Sequence, residues 1–155
     1  MFFAVILPFT TLVHELGHAL VTIQLLKVPV EIRLGKTFKG EGLSFGKLTI
    51  KIQFMSGWVG FFRYNDADKN ANRTRSILIL LAGPISSLLL GCTCFVLYSY
   101  LELTMIIQYI LKAIMNAALA QFLLTIIPIK YPSIFGGYNG LTSDGYKILR
   151  LMRTK

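Results

Sequence analysis

The stretch Thr11–Val21, TLVHELGHALV, places two histidines and a glutamate in a segment that is otherwise almost entirely apolar. The chain has 2 histidines, and both lie here, four residues apart. Residues i and i+4 of an α-helix share a face, so both imidazoles could converge on one ion. Ionisable side chains in a membrane segment are costly and usually line a functional interior. The stretch therefore predicts a membrane helix that carries a metal site.

The order of these residues indicates a particular chemistry. A glutamate between two histidines at this spacing is the HExxH arrangement of zinc proteases. Zinc in such sites takes three protein ligands and keeps a fourth position for water, which it activates. Glu15 would accept a proton from that water and pass it to the leaving amine. A polar cluster that joins helices by hydrogen bonds is the alternative for these residues.

Composition indicates an integral membrane protein. The 155 residues suit one domain, 1–155, and 54% of them are hydrophobic, whereas only 15% are charged. Soluble proteins carry about 25% charged residues. Three apolar runs, 2–26, 77–98 and 113–129, are the predicted transmembrane helices. The stretch 100–112 mixes apolar and polar residues, and we expect it to lie at the membrane interface.

Residues 28–64 follow a different pattern, in which apolar and polar side chains alternate. The alternation is clearest at 28–34 and 48–54, and period two is typical of strands with one apolar face. We therefore expect an α-helical membrane protein with a three-transmembrane-helix core and a small antiparallel β-sheet between the first and second helices. Lys47–Phe54 is the predicted open edge of that sheet, where an unwound substrate segment could add as a strand.

The basic residues predict the orientation in the membrane. The net charge is +9, and ten lysines and arginines lie between the first and second apolar runs. Basic loops stay on the cytoplasmic side, so we expect the N-terminus outside and the C-terminus in the cytoplasm. No compact basic motif with interleaved aromatic residues suggests nucleic acid as a partner. The preference for lysine over arginine indicates a bacterial cell membrane.

A third zinc ligand has to come from another part of the chain. Cys92 and Cys94 point to different faces of a helix and make a poor metal pair. Asp144, within GLTSDGY (140–146), follows the third apolar run, which returns to the side where the first one ends. The alternative for Asp144 is an ordinary helix N-cap. The other acidic residues that stay open as ligands are Glu31, Asp66 and Asp68.

Three motifs together resemble the site-2 protease family of intramembrane zinc metalloproteases. They are HELGH at 14–18 in the first membrane helix, AGP at 82–84 in the second, and DG at 144–145 after the third. The resemblance covers the whole chain, as the three-helix core of the family without extra domains. It implies that His14, His18 and Asp144 bind one zinc ion and that the intervening glutamate is the catalytic base.

By that resemblance, the chain is an integral membrane zinc metalloendopeptidase of regulated intramembrane proteolysis. It would hydrolyse a peptide bond in a membrane-spanning or membrane-associated peptide near the cytoplasmic face. Its partners would be that substrate, the lipid bilayer and a regulatory membrane protein. A zinc-binding membrane scaffold or sensor without hydrolysis is the alternative, although metal binding alone does not need Glu15.

The chain departs from the family pattern at several positions. Ser87 stands where the family often has asparagine, and Thr125 begins the motif that the family writes Asn-x-x-Pro, ending here at Pro128. Residues 129–143 form a longer connection to the Asp-Gly pair than is usual. The departures leave the group that stabilises the oxyanion open, and Asn116 and Ser87 are the candidates. The alternative for Asn116 is a hydrogen bond between helices.

Overall fold

The computed structural model describes residues 3–35, 42–53, 59–64 and 72–153. The described chain is mostly helical. Its helices are α1 (Phe3–Leu26), α2 (Arg73–Tyr100), α3 (Met105–Ile126) and α4 (Asp144–Arg153). The first three are long and apolar enough to cross a membrane.

The ends of the helices follow local rules of backbone chemistry. Helix α2 begins before the predicted span at 77–98, because the side chain of Asn72 accepts a hydrogen bond from the backbone N–H of Arg75 and so caps it. Helix α3 begins at Met105, within the stretch that we expected at the interface, and ends at Ile126. Pro128 follows, and the residue before a proline avoids helical geometry.

Four short strands lie between α1 and α2 in the chain and form one mixed sheet. They are β1 (Val30–Leu34), β2 (Leu43–Phe45), β3 (Leu48–Ile52) and β4 (Gly60–Tyr64), in the spatial order β2-β3-β1-β4. The prediction of a purely antiparallel sheet is wrong, because β1 and β3 pair in parallel. Strands β2 and β3 form a hairpin. The half-buried β3 is the member of that hairpin that lies next to β1, whereas the exposed β2 lies at the edge of the sheet.

The predicted open edge is also in a different place. Strand β3 lies between β2 and β1, so its backbone is not free to take up another strand. Phe54, the last residue of the predicted edge, lies outside the described residues. Within the described part of the chain, the edge strand next to β1 is β4, which pairs antiparallel with it. An added strand would therefore bind at β4 or β2.

The sheet packs on α1 through the apolar face of β1. Val30, Ile32 and Leu34 are at most 2% exposed and form a core with Ala19 of α1. Burying each such aliphatic side chain contributes about 1.5–3 kcal/mol. This core fixes the sheet against the helix that carries the HELGH motif, and it brings β4 beside that motif.

Helices α1 and α2 approach closely at the glycine of HELGH. A Cβ atom at Gly17 would lie 2.2 Å from Oγ of Ser86 and 2.5 Å from the carbonyl oxygen of Ala82. Small residues allow close packing of membrane helices. The glycine of the motif therefore sets the distance between the two helices, and the histidines on either side of it face α2.

Candidate metal centre

The two histidines of α1 are held in defined orientations by α2. Nδ1 of His14 lies 3.0 Å from Oγ of Ser87, and Nδ1 of His18 lies 2.6 Å from the carbonyl oxygen of Ile79. A carbonyl oxygen only accepts, so Nδ1 of His18 is the protonated nitrogen. When Nδ1 of His14 donates to Oγ of Ser87, both Nε2 atoms carry a lone pair. These two nitrogens lie 3.2 Å apart.

Asp144 reaches the histidines because the connection between α3 and α4 folds back on itself. Oγ of Ser143 donates to the carbonyl oxygen of Ile127 and accepts hydrogen bonds from the N–H groups of Ile129 and Tyr146. Ser143 is thus the N-cap of α4, and the alternative that Asp144 serves only as the cap does not hold. The carboxylate of Asp144 is left to face the histidines.

The three groups have the spacing of zinc ligands. Oδ2 of Asp144 lies 3.2 Å from Nε2 of His14 and 3.3 Å from Nε2 of His18. Ligands of a tetrahedral zinc ion, with bonds of about 2.0–2.1 Å, are about 3.3–3.4 Å apart. Three lone-pair donors at this distance repel one another unless a cation lies between them. The residues present therefore fit a metal ion.

The charge of Asp144 is supported from its other side. Nζ of Lys147 lies 3.0 Å from Oδ1, one turn along α4. Burial raises the pKa of Asp144, and the nearby ammonium of Lys147 opposes that effect. A carboxylate binds a metal in its ionised form, which this ammonium stabilises.

Glu15 lies beside this centre at the floor of a cavity of about 690 Å³. Its side chain is buried, with 8% of the residue exposed. Strand β4 forms the opposite wall, and a Cβ atom at Gly60 would lie only 2.5 Å from Oε1 of Glu15. Helix α3 lines the cavity with Gln121 and Leu124, and the loop before α4 lines it with Tyr138.

A second glycine makes room for the metal ligands. A Cβ atom at Gly83, in the AGP motif of α2, would lie 2.2 Å from Nε2 of His18. The ring of His18 therefore packs directly against the backbone of Gly83 in α2. On its other side the ring stacks on Phe62 of β4, with centroids 5.6 Å apart. Helix α2 and the sheet together hold the imidazole in place.

The structure brings some of the predicted site residues together and places others elsewhere. His14, His18 and Asp144 lie together, with Glu15 next to them. Ser87 is hydrogen-bonded to His14, so its hydroxyl does not face a substrate. Asn116 is exposed and is not among the described residues that line the cavity. Of the alternative ligands, Glu31 pairs with Arg33 and Lys51, whereas Asp66 and Asp68 lie outside the described residues.

Sequence reasoning missed two residues that border the cavity. The N–H of Gly60 donates to the hydroxyl oxygen of Tyr138 at 2.9 Å. Tyr138 ends a short 3-10 helix, Ser133–Tyr138, in the loop before α4. Burial raises the pKa of Tyr138 well above its usual value, so the hydroxyl is neutral. The glycine and aromatic residues of 129–143 were the only sign in the sequence, and they do not indicate which strand the loop touches.

Comparison with known proteins agrees with this geometry. The family model described as Peptidase family M50 matches residues 2–140, which include α1, the sheet, α2 and α3. The matched range ends before Asp144. No curated protein and no solved structure matches the chain.

Proposed function

Since the chain belongs to peptidase family M50, the site-2 protease family, we propose that it is an integral membrane zinc endopeptidase. Its substrate would be a membrane-spanning or membrane-associated peptide. The observation that supports this most is the convergence of two imidazole nitrogens and one carboxylate oxygen beside the buried carboxylate of Glu15. Metal binding alone would explain the three ligands but not the glutamate.

The residues that would hold zinc are His14, His18 and Asp144. The chemistry supplied by a zinc ion at this position is the activation of a water molecule and the polarisation of the scissile carbonyl. Ser87 and the carbonyl of Ile79 keep the imidazole rings oriented, as outer hydrogen-bond partners do in zinc sites. The chain would therefore contribute a ligand set from α1 and from the N-terminus of α4.

Glu15 would be the general base. Its carboxylate lies within the cavity, next to the ligand set and against the backbone of Gly60. From there it can take a proton from the attacking water and give it to the leaving amine.

The substrate would bind as an added strand on β4. Peptide bonds in a helix are closed to attack by their own hydrogen bonds, so the scissile segment has to be extended. An open strand edge binds an extended segment through backbone hydrogen bonds. Among the described strands β4 is such an edge, and Gly60 at its start lies against the carboxylate of Glu15.

The site would face the cytoplasm. The start of α2 lies against the end of α4, because the side chain of Arg73 donates to the backbone oxygen of Met152. Ten lysines and arginines lie between the first and second apolar runs, which favours the cytoplasmic side for these segments, with the N-terminus outside. We propose a bacterial cell membrane, a regulatory membrane partner and no nucleic-acid partner.

Zinc content tests the metal site. We expect stoichiometric zinc in the detergent-purified protein and its loss in His14→Ala and in Asp144→Ala. Glu31→Gln is the matched control, because that carboxylate is paired with Arg33 and Lys51 in the sheet. Zinc retained by Asp144→Ala would remove Asp144 from the ligand set.

Cleavage tests the reaction itself. The zinc-loaded protein would be reconstituted in liposomes with a pool of synthetic single-span peptides, and products would be identified by mass spectrometry. We expect cleavage by the wild type and none by Glu15→Gln, which keeps its zinc. Zinc binding without cleavage of any peptide would favour a zinc-binding scaffold or sensor.

A further inference from the structure

In the part of the chain that the structure describes, β4 pairs with β1 on one side only, so alternate backbone groups along its other side point outward. The N–H of Gly35 donates to the carbonyl oxygen of Val59, so Val59 turns its carbonyl towards β1. In an antiparallel pair the backbone groups of successive residues point alternately to the partner and away from it. Gly60 and Phe62 therefore turn their N–H and C=O groups outward, where an added strand would bind.

The first of these outward groups is already engaged. The N–H of Gly60 donates to the hydroxyl oxygen of Tyr138 at 2.9 Å. Tyr138 packs against Tyr131, with ring centroids 5.6 Å apart, and both line the cavity. The contact lies where β4 is closest to Glu15, so it occupies the part of the edge nearest the proposed chemistry.

We propose that Tyr138 sets the affinity for substrate by competing with it for the N–H of Gly60. The inference rests on the proposed function, because it assumes that the substrate adds to β4. The tyrosine hydroxyl takes the place of a substrate carbonyl oxygen. A substrate strand must displace it before it can pair along the whole edge next to Glu15.

We expect that Tyr138 can move away from Gly60 without shifting the candidate ligand Asp144. Its base is closed by a bridge between Lys130 and Thr142 and by the hydrogen bond from the N–H of Ser143 to the carbonyl oxygen of Ile129. These bonds lie between Tyr138 and Asp144 along the chain. Removal of the Tyr138 contact should therefore leave zinc binding intact.

The test uses two zinc-binding probes and a matched pair of variants. Acetohydroxamic acid binds zinc alone, whereas a fluorescent tripeptide hydroxamate also offers a backbone that can pair with β4. Tyr138→Phe removes the hydroxyl that contacts Gly60. Tyr131→Phe removes a hydroxyl in the same loop that donates instead to the carbonyl oxygen of Leu124. Binding is measured by fluorescence anisotropy and by competition in detergent.

We expect Tyr138→Phe to bind the tripeptide hydroxamate more tightly by about two- to twelvefold, the range of one net hydrogen bond. Its affinity for acetohydroxamic acid and its zinc content should stay at the wild-type level. Tyr131→Phe should bind both probes as the wild type does. Tyr138→Leu is a second variant without the hydroxyl, and it should show the same direction of change.

The possible failures can be told apart. Unchanged or weaker binding of the tripeptide by Tyr138→Phe, with acetohydroxamic acid still bound, would overturn the role of Tyr138 and leave the metal site intact. An equal gain in Tyr131→Phe would overturn it too, because the effect would then come from a loosened loop. If neither probe binds the wild type, the proposed zinc site itself fails.

Discussion

Replacement of Ser87 by alanine should weaken zinc binding although Ser87 is not a ligand. Its Oγ lies 3.0 Å from Nδ1 of His14, and Ser87 is 1% exposed. With a metal ion on Nε2, Nδ1 carries the proton and donates it to this oxygen. In Ser87→Ala the N–H of the imidazole has no partner, because the position of Ser87 is too deeply buried for bulk water to replace the hydroxyl. The ring is then free to turn away from Asp144 and His18.

The size of the effect follows from the hydrogen bond that is lost. A buried donor without a partner costs about 1–3 kcal/mol, which corresponds to about a 5- to 150-fold weaker affinity for zinc. Loss of an outer hydrogen-bond partner in zinc sites typically costs about 10- to 100-fold, which lies within that range. We therefore expect Ser87→Ala to bind zinc about 10- to 100-fold more weakly than the wild type.

Competition with a chromogenic zinc chelator in detergent measures this affinity. Ser86→Ala is the matched control, because Ser86 is the neighbouring serine and lies against Gly17 of α1 without a bond to His14. We expect this control to keep the wild-type affinity. An affinity of Ser87→Ala within twofold of the wild type would refute the reasoning, and so would an equal loss in the control.

Three further substitutions separate binding, catalysis and stability. Gly83→Ala should abolish zinc binding, measured as zinc per chain, because its methyl group would lie 2.2 Å from Nε2 of His18. Gly60→Ala should keep zinc but lose peptide cleavage, since its methyl group would lie 2.5 Å from Oε1 of Glu15 and displace that carboxylate. Gln121→Leu should raise the thermal unfolding midpoint, because Oε1 of Gln121 is buried without a hydrogen-bond partner, which costs about 1–3 kcal/mol. An unchanged or lower midpoint would contradict the last expectation.

The residues of the candidate metal site could be predicted in part, because some of the rules that bring them together are local or follow from the membrane. The i, i+4 spacing of His14 and His18 is a property of one helix. Three spans return the chain to the side where the first one ends, which made Asp144 a candidate, and the family resemblance then singled it out from Glu31, Asp66 and Asp68. The sequence could not distinguish a ligand from a cap in Ser143-Asp144, because both residues can cap a helix. The hydrogen bonds between the Ser143 hydroxyl and the backbone of Ile127 and Ile129 show that Ser143 is the cap. These bonds depend on how the loop before α4 folds back, which the sequence does not show.

The order of the strands could not be predicted in the same way. Alternation shows which face of a strand is apolar, but it does not show which strand lies next to it. The place of β3 between β2 and β1 depends on the packing of β1 against Ala19 of α1. The short strand GFFRY, which became the edge beside Glu15, has no alternation that would have marked it. The error in the predicted edge therefore comes from long-range packing.

The three motifs have a structural feature in common. Each of HELGH, AGP and DG contains a glycine at which a side chain would collide with another helix. A Cβ atom at Gly17 or Gly83 would meet α2 or His18, and one at Gly145 would lie 1.9 Å from the carbonyl oxygen of Ile126. A ligand set drawn from separate helices requires their backbones to approach closely, because imidazole and carboxylate side chains are short. HELGH and DG thus each combine a candidate ligand with a glycine that lets its backbone approach another helix. AGP contains no candidate ligand, and its glycine makes room for His18 of α1. Such a contact cannot be recognised from one motif, because the atoms next to the glycine belong to a different segment of the chain.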